Sequence, residues 1–160
     1  MTTAVYAGSF DPFTNGHLDI VERSLKLFDK VIVAVLENPA KKSCSFPVKK
    51  RVEMVSQILK KNPEVKVQHF SGLLVDFCHK TKAAAIIRGL RAVSDYEYEL
   101  QLAMMNKQLS PDLETTFLMA STQYSFLTSS LVKEVARLGG DVSSLLPEVA
   151  NTELKKLFAI

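Results

Sequence analysis

Two rhythms of apolar residues alternate along this chain. Short apolar runs at residues 3–7, 31–36, 84–87 and 115–119 predict buried strands, and the alternating Val65-Lys66-Val67-Gln68-His69-Phe70 predicts a more exposed one. Between them the spacing lengthens to three and four. Leu18, Val21, Leu25 and Phe28 form one stripe over residues 16–28, and Val52, Val55, Ile58 and Leu59 form another after Pro47. A short helix is predicted from Leu73 to about Lys82. A longer one runs from the capping-box pair Ser94 and Glu97 to about Leu109. Ser129 or Ser130 can cap a helix carrying Leu131, Val132, Val135 and Leu138 and stopped by Gly139-Gly140, and Pro147 opens a last one with Leu154, Leu157 and Phe158. Strands alternating with helices predict an α/β fold. The expected architecture is a Rossmann-like, doubly wound, five-stranded parallel sheet with helices on both faces, in a single domain over residues 1–160.

Such sheets bind ligands beyond the carboxyl ends of their strands. Chemistry-bearing residues cluster there. Gly8-Ser9 follows the first strand and leads through Phe10-Asp11-Pro12-Phe13 to Thr14-Asn15-Gly16-His17, where a helix begins. Strand, glycine turn and helix N-terminus together favour a phosphate. Ser9 offers a hydroxyl and an N–H, Gly16 a close approach, and His17 a donor to a phosphorus gaining charge. Arg88-Gly89-Leu90-Arg91 follows the fourth strand, and guanidinium groups suit phosphate oxygens. Tyr124-Ser125-Phe126-Leu127-Thr128-Ser129-Ser130 leads into a second helix N-terminus, a pair that suits a triphosphate.

Bulk properties narrow the class. A net charge of +3 suits an anionic small molecule and is too weak to argue for nucleic acid. Lys41-Lys42 and Lys49-Lys50-Arg51 are expected to be solvated surface charges. Cys44 and Cys78 with His17, His69 and His79 make no metal spacing. His69 and His79 are expected on the surface or satisfied in the core, Asp11 to hold a turn, and Met104-Met105 to pack. By spacing alone Glu99 is a solvated helix carboxylate. No basic leader and no apolar stretch of membrane length occurs, so a soluble, cytoplasmic protein is expected.

These three elements together resemble the nucleotidyltransferase superfamily, with its (T/H)-x-G-H motif and its serine-rich I-S-S-T-x-x-R motif. Within it the chain is similar to the bacterial phosphopantetheine adenylyltransferases over essentially its whole length. The block from Ile87-Arg88-Gly89-Leu90-Arg91 to Tyr96-Glu97-Tyr98-Glu99 is the part specific to that family. The resemblance implies transfer of the adenylyl group of ATP to 4′-phosphopantetheine, giving dephospho-coenzyme A and pyrophosphate. It implies His17 as the catalytic residue, and Ser9, Lys41, Leu74 and Arg88 for phosphopantetheine. It implies Ser9, Phe10, His17, Gly89, Leu90, Arg91, Glu99 and residues Tyr124 to Ser130 for ATP. Mg2+ would accompany ATP with no metal ligands from the protein; a homohexamer inhibited by coenzyme A is implied too.

The chain departs from the family pattern in places. The serine-rich motif carries Thr128 in place of a serine and ends in Lys133, as in this branch of the superfamily. Ala7 stands where proline is common. The loop from Lys41 to Phe46 is one residue longer than usual, so Lys41 or Lys42 can stand at the matching place. Against an adenylyl- or cytidylyltransferase for another acceptor stands the Arg88–Glu99 block, against an aminoacyl-tRNA synthetase the short chain, and against a nucleotide sensor without turnover the full set of charges, which a sensor would not need.

Overall fold

The computed structural model describes residues 1–37, 44–91 and 93–159, with the side chains of residues 93–95 left aside. Five strands form one sheet: β1 (Thr3–Gly8), β2 (Lys30–Leu36), β3 (Val65–Phe70), β4 (Ala85–Leu90) and β5 (Glu114–Met119). They lie in the order β3-β2-β1-β4-β5, and each adjacent pair is parallel. The helices are α1 (Asn15–Ser24), α2 (Val48–Ile58), α3 (Leu74–Thr81), α4 (Val93–Leu109), α5 (Ser129–Arg137) and α6 (Glu148–Phe158).

Period-two alternation sends successive strand residues to opposite faces. Ala4 and Tyr6 of β1, with Val31, Val33 and Val35 of β2, pack against Ile20 and Val21 of α1 and Val55 of α2. Their neighbours Val5, Ala7, Ile32 and Ala34 pack against Val75 and Cys78 of α3. Both faces are therefore covered, as the continuous apolar runs require. A third cluster ties α5 and α6 to Phe46, Met54 and Leu127.

Several boundaries differ from expectation. α1 stops at Ser24, whose hydroxyl donates to Ile20 O at 2.6 Å, yet Leu25 and Phe28 still pack on the core from the turn beyond. Thr128, rather than Ser129 or Ser130, caps α5, accepting from Leu131 N at 3.0 Å. The expected capping pair at Ser94 lies outside the described side chains.

The main difference is at β4. It runs on to Leu90, because β5 stays in register with it from Ala85↔Glu114 to Leu90↔Met119. Its pairing with β1 ends at Tyr6↔Ile87. Arg88 and Gly89 are therefore strand residues rather than loop residues. The two central strands part beyond Ile87, and that divergence opens the crevice at the point where strand order reverses.

Candidate active site

A cavity of about 370 Å³ fills this crevice, a volume in the range of small-molecule sites. Its walls include Gly8 to Asp11, Thr14, Gly16 and His17 on one side and Arg88, Gly89, Arg91 and Glu99 on another. Tyr124, Leu127 to Ser130 and Lys133 close it. Of the residues singled out in the sequence, Leu74, Leu90, Ser125 and Phe126 stand outside these walls. Leu74 packs against the α3-side core, Leu90 is buried, Ser125 donates to Thr122 O at 2.9 Å, and Phe126 is exposed. Lys41 and Lys42 fall outside the described residues.

The first wall is built from backbone contacts. Phe10 has φ 48°, a left-handed conformation that costs a bulky residue about 1–2 kcal/mol. Its ring folds back over the end of β1, and a Cβ on Gly8 would sit 3.0 Å from it. Gly8 therefore makes room for Phe10. Likewise a Cβ on Gly89 would come within 3.2 Å of Ile20, so that glycine lets α1 lie close to β4.

Asp11 is buried and does more than hold a turn. Its carboxylate accepts from Ser45 N and Phe46 N, each at 2.8 Å, and from Lys133 Nζ at 2.5 Å. It joins the segment entering α2 to α5 across the cleft.

His17 is both the helix cap and the group facing the cleft. Thr14 N donates to His17 Nδ1 at 2.9 Å, while Thr14 Oγ1 accepts from His17 N at 3.3 Å. A backbone N–H can only donate, so Nδ1 is unprotonated and Nε2 carries the proton. The ring packs near Tyr6, Phe10 and Phe13. Loss of hydration there, then the charge of Arg91, holds its pKa down to about 3. At neutral pH His17 is an uncharged Nε2–H donor.

The opposite wall is ionic. Arg88 forms a two-bonded pair with Glu99: Nε to Oε2, and Nη2 to Oε1 at 2.5 Å. Arg88 Nη1 also donates to Ala7 O at 3.2 Å. Burial disfavours the guanidinium charge, but the Glu99 contacts outweigh it and its pKa is raised. Glu99, at 13% exposure, is not a solvated helix carboxylate. Arg91 Nη1 donates to Leu127 O at 3.1 Å, tying β4's end to the serine-rich segment. Ser129 Oγ donates to Pro12 O at 2.8 Å. The backbone N–H groups that open α5 have no acceptors within the helix.

Other residues gave no sign of a role by motif. Arg51, expected with its lysine neighbours to be surface charge, is 3% exposed and donates to three backbone carbonyls. Helical spacing carried the clue: Arg51 is three residues after Val48 and four before Val55, on the apolar face. Lys50 does stay outside, paired with Glu153 at 2.8 Å. Asp19 accepts from Ser121 Oγ at 2.8 Å, and Arg23 Nη1 donates to Met119 O at 2.6 Å, anchoring the chain after β5 to α1. His69 is exposed and His79 meets Ser110 Oγ at 2.8 Å, as expected. Met104 and Met105 are exposed at 65% and 59% rather than packed. α4 presents them on a side that no other described element covers.

Among the described residues, no group of three or more His, Cys, Asp or Glu is placed to hold a metal ion, and no helix is long and apolar enough to cross a membrane. The acids in the cleft, Asp11 and Glu99, are committed to Lys133 and Arg88. A cation arriving on a polyphosphate fits this arrangement better than one caged by side chains.

Sequence comparison agrees with this geometry. The cytidylyltransferase-like family model matches residues 5–135. The phosphopantetheine adenylyltransferase of Clostridium kluyveri is 52% identical over 99% of this chain and 96% of its own length. Those of Thermodesulfovibrio yellowstonii and Caldanaerobacter subterraneus subsp. tengcongensis are 54% and 51% identical, covering 98% and 99% of this chain and 97% and 98% of theirs. With this fold, this cleft and identity at that level end to end, the chain belongs to the phosphopantetheine adenylyltransferases, a branch of the cytidylyltransferase-like nucleotidyltransferases.

Proposed function

We propose that the chain joins ATP and 4′-phosphopantetheine in the β1–β4 crevice, giving dephospho-coenzyme A and pyrophosphate. The observation that carries this reading is the neutral His17 held as an Nε2–H donor where two helix N-termini and two arginines meet. A phosphate oxygen of phosphopantetheine attacks the α-phosphorus of ATP in line, and pyrophosphate leaves. The attacking oxygen is already anionic, so no general base is needed. Catalysis then rests on positioning and on stabilising charge.

In this reading Ser9 touches the phosphates of both substrates. His17 Nε2–H donates to the α-phosphate as it becomes five-coordinate. Arg88, with Leu74 and Lys41 or Lys42, receives phosphopantetheine. Gly89, Leu90, Arg91, Glu99, Phe10 and residues 124–130 receive ATP. Mg2+ bound to the phosphates of ATP would supply charge neutralisation there, with no ligand from the described side chains. The apolar residues on α4 and β5, among them Tyr98, Met105, Leu109 and Met119, are where copies of the chain meet in a homohexamer. The enzyme works in the cytoplasm under inhibition by coenzyme A.

The test is turnover. Protein, ATP, Mg2+ and 4′-phosphopantetheine should release pyrophosphate. A signal with nicotinamide mononucleotide and none with 4′-phosphopantetheine would sink the assignment.

A further inference from the structure

The buried guanidinium of Arg51 lies beneath the first wall and does not itself line the cavity. Arginine is almost never buried without a partner. Yet no carboxylate of the described residues lies within ion-pair distance of Arg51. All its contacts are backbone carbonyls, and they come from three separate segments. Nη1 donates to Ser9 O at 2.5 Å and to Leu36 O at 3.0 Å, and Nε donates to Phe46 O at 3.1 Å. Ser9 belongs to the phosphate loop, Leu36 ends β2, and Phe46 precedes α2.

We propose that Arg51 is a positioning residue of the adenylyl-transfer site, setting the Ser9–Phe10 peptide for phosphate from behind; this rests on the function proposed above. In a trans peptide the C=O and N–H point in opposite directions. Drawing Ser9 O back toward α2 therefore turns Phe10 N–H away from it. The same pull holds Phe10 at its positive φ, a conformation that persists only where its surroundings over-determine it. Phe46 is gripped from both ends, its N–H by Asp11 and its C=O by Arg51. Asp11 in turn holds Lys133 on the far wall. One planar cation with its donors in a fixed fork can bridge carbonyls from three directions, and a lysine ammonium at the same place cannot reproduce that fork.

The test compares the full chain with Arg51→Lys and Arg51→Ala, assayed well below each melting point. Pyrophosphate release by the parent chain tests the function itself, and the ratio of variant to parent tests Arg51. Arg51→Lys keeps the charge and should fold, but kcat should fall by about 30-fold or more while both KM values stay within about threefold, as expected for a misplaced loop. Millimolar methylguanidinium should restore at least about fivefold to Arg51→Ala and leave the parent unchanged, since it refills the fork. Turnover of Arg51→Lys within about threefold of the parent overturns the proposal. So does a rise in KM with kcat unchanged, or failure of both variants to fold, which would make Arg51 a folding residue alone.

Discussion

The two walls of the cleft are held in different ways. On the β1–α1 side nearly every contact runs to backbone: Thr14 N to His17, Ser45 N and Phe46 N to Asp11, and three carbonyls to Arg51. On the β4 side the central feature is a side-chain ion pair, Arg88 with Glu99, helped by one carbonyl, Ala7 O. Backbone anchors cannot rotate away, so the first wall is fixed before substrate arrives. An ion pair can exchange one anion for another, so the second wall can trade Glu99 for a substrate phosphate. The first wall suits transition-state stabilisation, which needs dipoles already in place. The second suits capture of an anionic substrate.

Removing the donor on the fixed wall should have the largest effect. His17→Ala deletes the Nε2–H and half the cap that orients it. Turnover should fall on the order of 10²–10³-fold, as for loss of one donor to developing charge, with little change in ATP affinity. Steady-state rates and calorimetry separate the two quantities. Equal losses in both would make His17 a ground-state ligand and dissolve the distinction between the walls.

Glu99→Gln probes the exchangeable wall and should do less. Losing the carboxylate removes the competitor for Arg88 but also the group that orients it. KM for 4′-phosphopantetheine should fall a few-fold and kcat by about 10-fold, a pattern expected when ground-state pairing is relieved. An unchanged KM for 4′-phosphopantetheine would mean that Arg88 does not trade Glu99 for that substrate's phosphate.

The same contrast explains what was legible in the sequence. Strand and helix identities followed from periodicity because both sheet faces of β1 and β2 are covered within the chain. The place of His17 in the cleft was legible because it follows Gly16 where a helix begins, and that of Arg88 and Arg91 because they stand at the end of a buried strand, either side of Gly89-Leu90. Arg51 was hidden by its neighbours Lys49 and Lys50, which made it look like surface charge although its spacing from Val48 and Val55 put it on the apolar face, and the carbonyls it binds leave no mark in a sequence. Glu99 was unreadable by spacing because its partner is eleven residues away on another element. Met104 and Met105 were misjudged as packed because apolar patterning cannot say whether a face is covered by the same chain.

The smallest effect concerns pH, and it follows from the cap that fixes the first wall. His17 has its pKa lowered from 6.5 to about 3, chiefly by burial. The unfolded chain therefore takes up a proton below about pH 6.5 that the folded chain refuses until about pH 3. Unfolding binds protons in that window, so His17 makes stability rise with pH there and fall as acid is added. Its share of the slope is at most one proton, because one group titrates. Glutamine at this position can still offer an amide N–H to the cleft but cannot take up the proton. Denaturant unfolding between pH 4 and 6, an interval inside that window, should give a slope against pH shallower in His17→Gln by up to one proton, roughly 1.4 kcal/mol per pH unit. An unchanged slope would mean that His17 is charged in the folded state. Nδ1 would then have to bear a proton against the Thr14 N–H, and the cap would break.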